Sequence, residues 1–315
     1  MRPPLINKRL AVSLLTAAAL AAPMAITTAC TPVPGAAGCY LFPDNNVWHA
    51  DISKLPVNAN SAAWMAASGG SSGLRIHPDF GGPYGIPYNI VSGSHPKVTV
   101  SFDYADESDQ VPYPLGSDTK IEDGSDAHAL VIDSSTCKLY ETWDTSYNGR
   151  GWTAGSGAVY NLKSDALRPA GWTSADAAGL PILPGLLRYD EVESGHVDHA
   201  IRFTVSRTAA AYLWPARHEA GSGSASVLPP MGARFRLKAN YPTAGLRPDT
   251  VAVLNAMKKY GMIVADNGSN FYFQGATDSR WPDALLDQLK QVPVSAFEAV
   301  DESSLEISPN SAQAR

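Results

Sequence analysis

GSDAHALVIDSSTCKLYETWD, residues 124–144, decides the fold. His128–Asp133 and Lys138–Trp143 are runs of β-branched, aliphatic and aromatic residues separated only by Ser134-Ser-Thr-Cys137. Two such runs joined by a short polar turn predict an antiparallel hairpin. HALVID is apolar at odd and even positions, so both faces of that strand should be covered and the strand should be central. Asp126 and His128 sit two apart at its entrance, where period-two geometry places them on one side.

Outward from this hairpin, more strand-like segments accumulate: 88–91, 97–104, 157–162, 199–205, 210–216, 233–239, 262–266 and 271–276. In Lys97–Tyr104, Val98, Val100 and Phe102 alternate with Thr99, Ser101 and Asp103, which predicts one solvated face. Helices are predicted for 247–261, which opens on Pro248 and Asp249 and stops at Gly261, for 281–292, and for the short SAAWMAAS segment. With 26 Gly and 24 Pro, much of the remainder should be turns. The expected fold is mainly β: one sandwich or jelly-roll-like domain over residues 30–300, with a few packed α-helices and a disordered polar tail at 301–315.

The N-terminus carries Arg2, Lys8 and Arg9, then the apolar run Leu10–Ala22, then small residues before Cys30. This is the pattern of a signal peptide spanning 1–29, too short and interrupted for a lasting membrane span. A secreted, extracellular protein is expected; a lipoprotein anchored through Cys30 is the rival, disfavoured by Thr27. Removing the three cations changes the formal charge from −6 to −9, which leaves no electrostatic case for nucleic acid. No later run is long enough to be an integral membrane segment. In an oxidising compartment Cys39 and Cys137 are expected to pair as a disulfide, because the rival Cys30–Cys39 pairing strands Cys137.

No phosphate loop, dinucleotide fingerprint or zinc spacing occurs, so no cofactor and no metal is expected. Gly69, Ser71 and Gly73 fit the nucleophile-elbow pattern, but inside a Gly/Ser run this reads as a flexible loop. The candidate chemistry is carboxylate and imidazole. Asp126 beside His128 suggests a general-base pair, and Glu141, sharing a face with Trp143, suggests a raised pKa. LRPAGWTSADAAGLPILPGLLRYDEV (167–192) reads as a long ordered loop presenting Trp172, Asp176, Arg188 and Glu191. Trp214, Arg217 and His218 suit sugar stacking and binding, and a turn at 265–270 offers Asp266 and Asn267. Against these stand structural readings: Asp126 capping a turn, Asp176 in the first turn of a helix capped by Thr173 or Ser174, His128 satisfied by a carbonyl, Glu141 on a solvated strand.

At FPDNNVWHADISKLPV, GSDAHALVID, GWTSADAAGLPILPGLLRYDEV and KKYGMIVADNGS, the chain resembles a family of secreted bacterial hypothetical proteins. The resemblance covers nearly everything after Cys39 and implies export and a single domain, with no catalytic residues to carry over.

Together these features lead us to expect a monomeric secreted glycoside hydrolase that cleaves a polysaccharide or oligosaccharide. Its catalytic groups would come from Asp126, His128, Glu141, Asp176 and Glu191, and its substrate contacts from Trp172, Arg188, Trp214, Arg217 and His218. The alternatives are a non-catalytic glycan- or cell-surface-binding protein and a polysaccharide lyase acting on uronates.

Overall fold

The computed structural model of the chain describes Met1 and residues 32–315, so residues 2–29 of the expected signal peptide and Cys30 lie outside the described residues. In chain order the strands are β1 (His77–Asp79), β2 (Tyr88–Val91), β3 (Val100–Phe102), β4 (Ala129–Asp133), β5 (Lys138–Trp143), β6 (Ser146–Tyr147) and β7 (Trp152–Ala154). They continue with β8 (Ser156–Asn161), β9 (Ile201–Val205), β10 (Arg234–Leu237), β11 (Met262–Asn267), β12 (Tyr272–Gln274) and β13 (Phe297–Val300). The α-helices are α1 (Ser61–Ala67), α2 (Tyr189–Ser194), α3 (Pro248–Lys259) and α4 (Asp283–Leu289).

The protein is mainly β, and its strands form three mixed sheets, ordered β1-β12-β9-β11-β10-β13, β2-β4-β5-β8 and β3-β7-β6. The hairpin β4–β5 is antiparallel with Val131 opposite Tyr140, as its sequence requires. Every residue of β4 is buried, because the strand separates two apolar layers. Leu130 and Ile132 face the main core shared with the six-stranded sheet, whereas Ala129 and Val131 face a second core under the three-stranded sheet. That double covering is what the unbroken apolar run encodes.

Cys39 and Cys137 are disulfide-bonded across 98 residues and clamp the first described segment onto the β4–β5 turn. The bond fits an oxidising compartment. Among the described residues no helix is long and apolar enough to cross a membrane.

Three local expectations change. Residues 210–216 form no strand; only Tyr212 makes an isolated bridge, to Met231, and Pro215 has no N–H to extend a ladder. The loop 167–192 ends in a helix, α2, whose first turn is closed by Arg188 and Glu191 rather than by a Ser or Thr cap. Residues 301–315 are packed rather than disordered. Leu305 and Ala312 are buried, the Trp214 indole donates to Ser311 O (2.8 Å), and the buried Arg217 guanidinium donates to Pro309 O and Asn310 Oδ1.

A carboxylate-lined cleft as candidate functional site

β5 leaves the core at Trp143, and there the chain turns sharply: Asp144 N donates to Asp126 O (2.8 Å) and Thr145 N to Ala127 O (3.1 Å). Ala127 has φ +43°, which breaks the alternation expected of a continuous strand. The two candidates therefore separate. Asp126 is exposed, and His128 is buried.

Asp126 lines a cleft of about 320 Å³ together with Tyr104, Glu107, Trp143, His218 and Asp266. The loop expected to carry chemistry forms one wall of it, through Thr173, Ala175 and Ala177. The Trp143 indole lies against the backbone of Gly155, where an added Cβ would sit 2.2 Å from the ring. Tyr104 packs on the same indole with ring centroids 6.3 Å apart. Glu107 is fixed by Thr173 N (2.9 Å) and lies 3.8 Å from His218 Nε2, whose Nδ1 donates to Ala177 O (2.8 Å).

Asp266 reaches the cleft because β11 is irregular. Val264 pairs with Phe203 and Asp266 with Thr204, so Ala265 is an extra residue in the ladder and the next side chain is re-aimed. The Ala265 carbonyl freed by this irregularity accepts from Ala178 N (2.9 Å), stitching the loop wall to the strand. Part of Asp266 is open to the cleft, yet its carboxyl lies deep among protein atoms. Burial, then the nearby Asp176 carboxylate, push its pKa up to about 7, against the opposing pull of Arg202.

Three of the sequence candidates lie behind that wall and hold it. His128 Nε2 faces Ala175 O (3.2 Å), and Nδ1 is hydrogen-bonded to Glu122. Burial disfavours its charged form, but the Glu122 carboxylate more than offsets this, and the pKa is raised. Asp176 makes a two-point ion pair with Arg202, at 2.8 and 3.0 Å, where both side chains are buried. Glu141 is fully buried and accepts from Ile182 N (2.8 Å) and Leu183 N (2.9 Å), and burial lifts it to about 7. It is neither solvated nor beside the cleft opening, because its strand is central.

The remaining candidates lie elsewhere. Glu191 is buried between Arg188 and His199 (3.0 Å), at the start of α2. Arg168 stacks on Trp172 at 5.6 Å, and Trp214 and Arg217 hold the C-terminal segment. Of the ten catalytic and substrate-contact candidates, Asp126 and His218 line the cleft, as do Asp266 and Asn267 of the 265–270 turn. Tyr104, Glu107 and Glu122 carried no sequence signal, since they lie outside the strands and α-helices and their partners are 39, 66 and 6 residues away. Among the described residues no group of three or more His, Cys, Asp or Glu is arranged to hold a metal ion. Compared with known protein families, curated proteins and solved structures, the chain matches none.

Proposed function

We propose that the protein is a glycoside hydrolase whose active site is the cleft between Asp126 and Asp266. The observation that carries this reading is the pairing of two unlike carboxyl groups in one sugar-sized cleft: Asp266, lifted to about 7, and Asp126, exposed to solvent. Glycosidic cleavage needs such a pair, because one carboxyl must still carry a proton to give to the leaving oxygen while the other is ionised. Asp266 is the general acid. Asp126 acts on the other face of the sugar as nucleophile or base. Trp143 and Tyr104 supply aromatic surface for a pyranose ring, and Glu107 with His218 supply hydrogen bonds to its hydroxyls. His128, Asp176 and Glu141 act through the loop wall and are positioning residues.

The test is a screen of purified protein against neutral and acidic polysaccharides, reading new reducing ends and absorbance of unsaturated sugars together. Reducing ends without absorbance, lost by about 10²–10⁴-fold in Asp266→Asn and in Asp126→Asn, are the expected result. Binding without any product from wild type points to a glycan-binding protein, and absorbance of an unsaturated product to a lyase. Either outcome sinks the hydrolase.

A further inference from the structure

A larger cleft, of about 530 Å³, shares no lining residue with the first; Tyr88, Lys120, Arg188 and Arg280 are among its walls. Its charges are unevenly matched. Arg280 is held by Asp190 (2.9 Å) and Asp278 (2.6 Å), and Asp118 lies 3.3 Å from His95 Nε2, so each acid on the rim already has a side-chain partner. Arg188 differs. Its side chain is 4% exposed; Nη2 is spent on Glu191, but Nη1 is buried with no hydrogen-bond partner. A buried guanidinium N–H without an acceptor is costly, and native interiors rarely keep one without a purpose. Lys120, on the same cleft, makes no ion pair among the described residues and is exposed.

We propose that this cleft binds a monosaccharide-sized carboxylate of the uronic acid type. The carboxylate sits between Arg188 and Lys120, the sugar ring lies against the half-buried Tyr88, and the hydroxyls face the rim carboxylates. Three observations select this class. The Arg188 Nη1, left without an acceptor by Glu191, can donate to a carboxylate oxygen. The volume exceeds what an inorganic anion fills. Arg188, whose Nη1 is left without an acceptor, and Lys120 stand among three lining carboxylates, Asp118, Asp190 and Asp278, which favours a single negative charge over a multiply charged one. This inference does not depend on cleavage in the first cleft.

The experiment is calorimetric titration of the exported chain with glucuronate, glucose and inorganic phosphate. Saturable glucuronate binding is expected, at least tenfold weaker for glucose and for phosphate. Lys120→Glu, at an exposed position, should weaken glucuronate at least tenfold without changing the melting temperature. Arg188→Lys keeps a charge beside Glu191 but loses the Nη1 donor, and should weaken binding as much. Asp266→Asn should leave binding unchanged. Absent glucuronate binding, or binding indifferent to Lys120→Glu, overturns the site. Phosphate binding as tight as glucuronate overturns the sugar-acid class. Binding lost in Asp266→Asn and kept in Lys120→Glu assigns the ligand to the other cleft, and so overturns the proposal as well.

Discussion

Asp266 is held by its surroundings in a state that an exposed aspartate leaves at a much lower pH. With its pKa lifted to about 7, it keeps its proton through the mildly acidic range and releases it near neutrality. If it is the acid, kcat/KM should fall as pH rises through about 7, and this alkaline limb should vanish in Asp266→Asn. A pH–rate profile lacking that limb in wild type removes Asp266 from the role. The same shift bears on stability, together with Glu141 and Glu302, each also lifted by burial to about 7. In the unfolded chain these groups lose their protons near the ordinary carboxylate range; in the folded protein they hold them to about 7. Between those limits the native state binds more protons, so stability declines as pH rises. The raised His128 pKa acts in the same direction, its contribution being lost as pH climbs through the folded value. Carboxylates held low, such as Glu191 and Asp133, lose their contribution only at more acidic pH. Thermal melts should therefore show a Tm roughly 3–8 °C lower at about pH 8 than at about pH 5.5. A flat or rising Tm over that interval contradicts the assignment.

At the scale of elements, the β4–β5 hairpin is tied down at its turn and its exit. The turn is linked through Cys137 to Cys39, closing a loop of 98 residues. On the loop-entropy model such a link is worth about 4–5 kcal/mol. The double variant Cys39→Ser/Cys137→Ser should lose about 3–4 kcal/mol in urea unfolding, and reductant should then have no further effect. Reductant sensitivity persisting in that variant would show that the stabilisation comes from elsewhere. This hairpin is also where sequence and structure agree best: β5 spans 138–143 as predicted, and β4 begins one residue later than predicted. Both strands pair with a neighbour close in sequence, and their periodicity is strong. β1, β6, β7 and β13 are two to four residues long, too short to show a period, and β1 and β7 pair in parallel with strands distant along the chain. α2 is hidden for another reason. Its cap comes from the Arg188–Glu191 pair, which in sequence looks like loop polarity.

For the whole molecule, the parts that escaped the sequence are those held only by long-range partners. The cleft is the clearest case. Asp126 and His218 are legible as polar groups at strand ends, but their meeting depends on the Ala265 irregularity and on a loop wall held by three buried titratable side chains. No local pattern records that assembly. The C-terminal segment poses the same problem: its composition is polar, and composition alone favours disorder. Yet Val47 N donates to Ala312 O (2.8 Å), Ala312 N to Asp165 O (2.7 Å) and Ala314 N to Asn45 O (2.8 Å). Arg217, buried at 5% exposure, spends two of its guanidinium nitrogens on Pro309 and Asn310 and the third on Arg168 O. Arg217 also lies one residue from His218, so the segment braces the wall of the cleft from outside. Deleting residues 306–315 removes these acceptors and leaves a buried guanidinium half-satisfied, at a cost of about 2–4 kcal/mol. The shortened protein should melt roughly 5–10 °C lower, and protease should cut it first in the 167–192 loop, whose support it has lost. In the full chain, limited proteolysis should spare residues 301–315. Rapid trimming of that tail from native protein, with no change in melting temperature, would mean that these contacts do not hold the segment in solution.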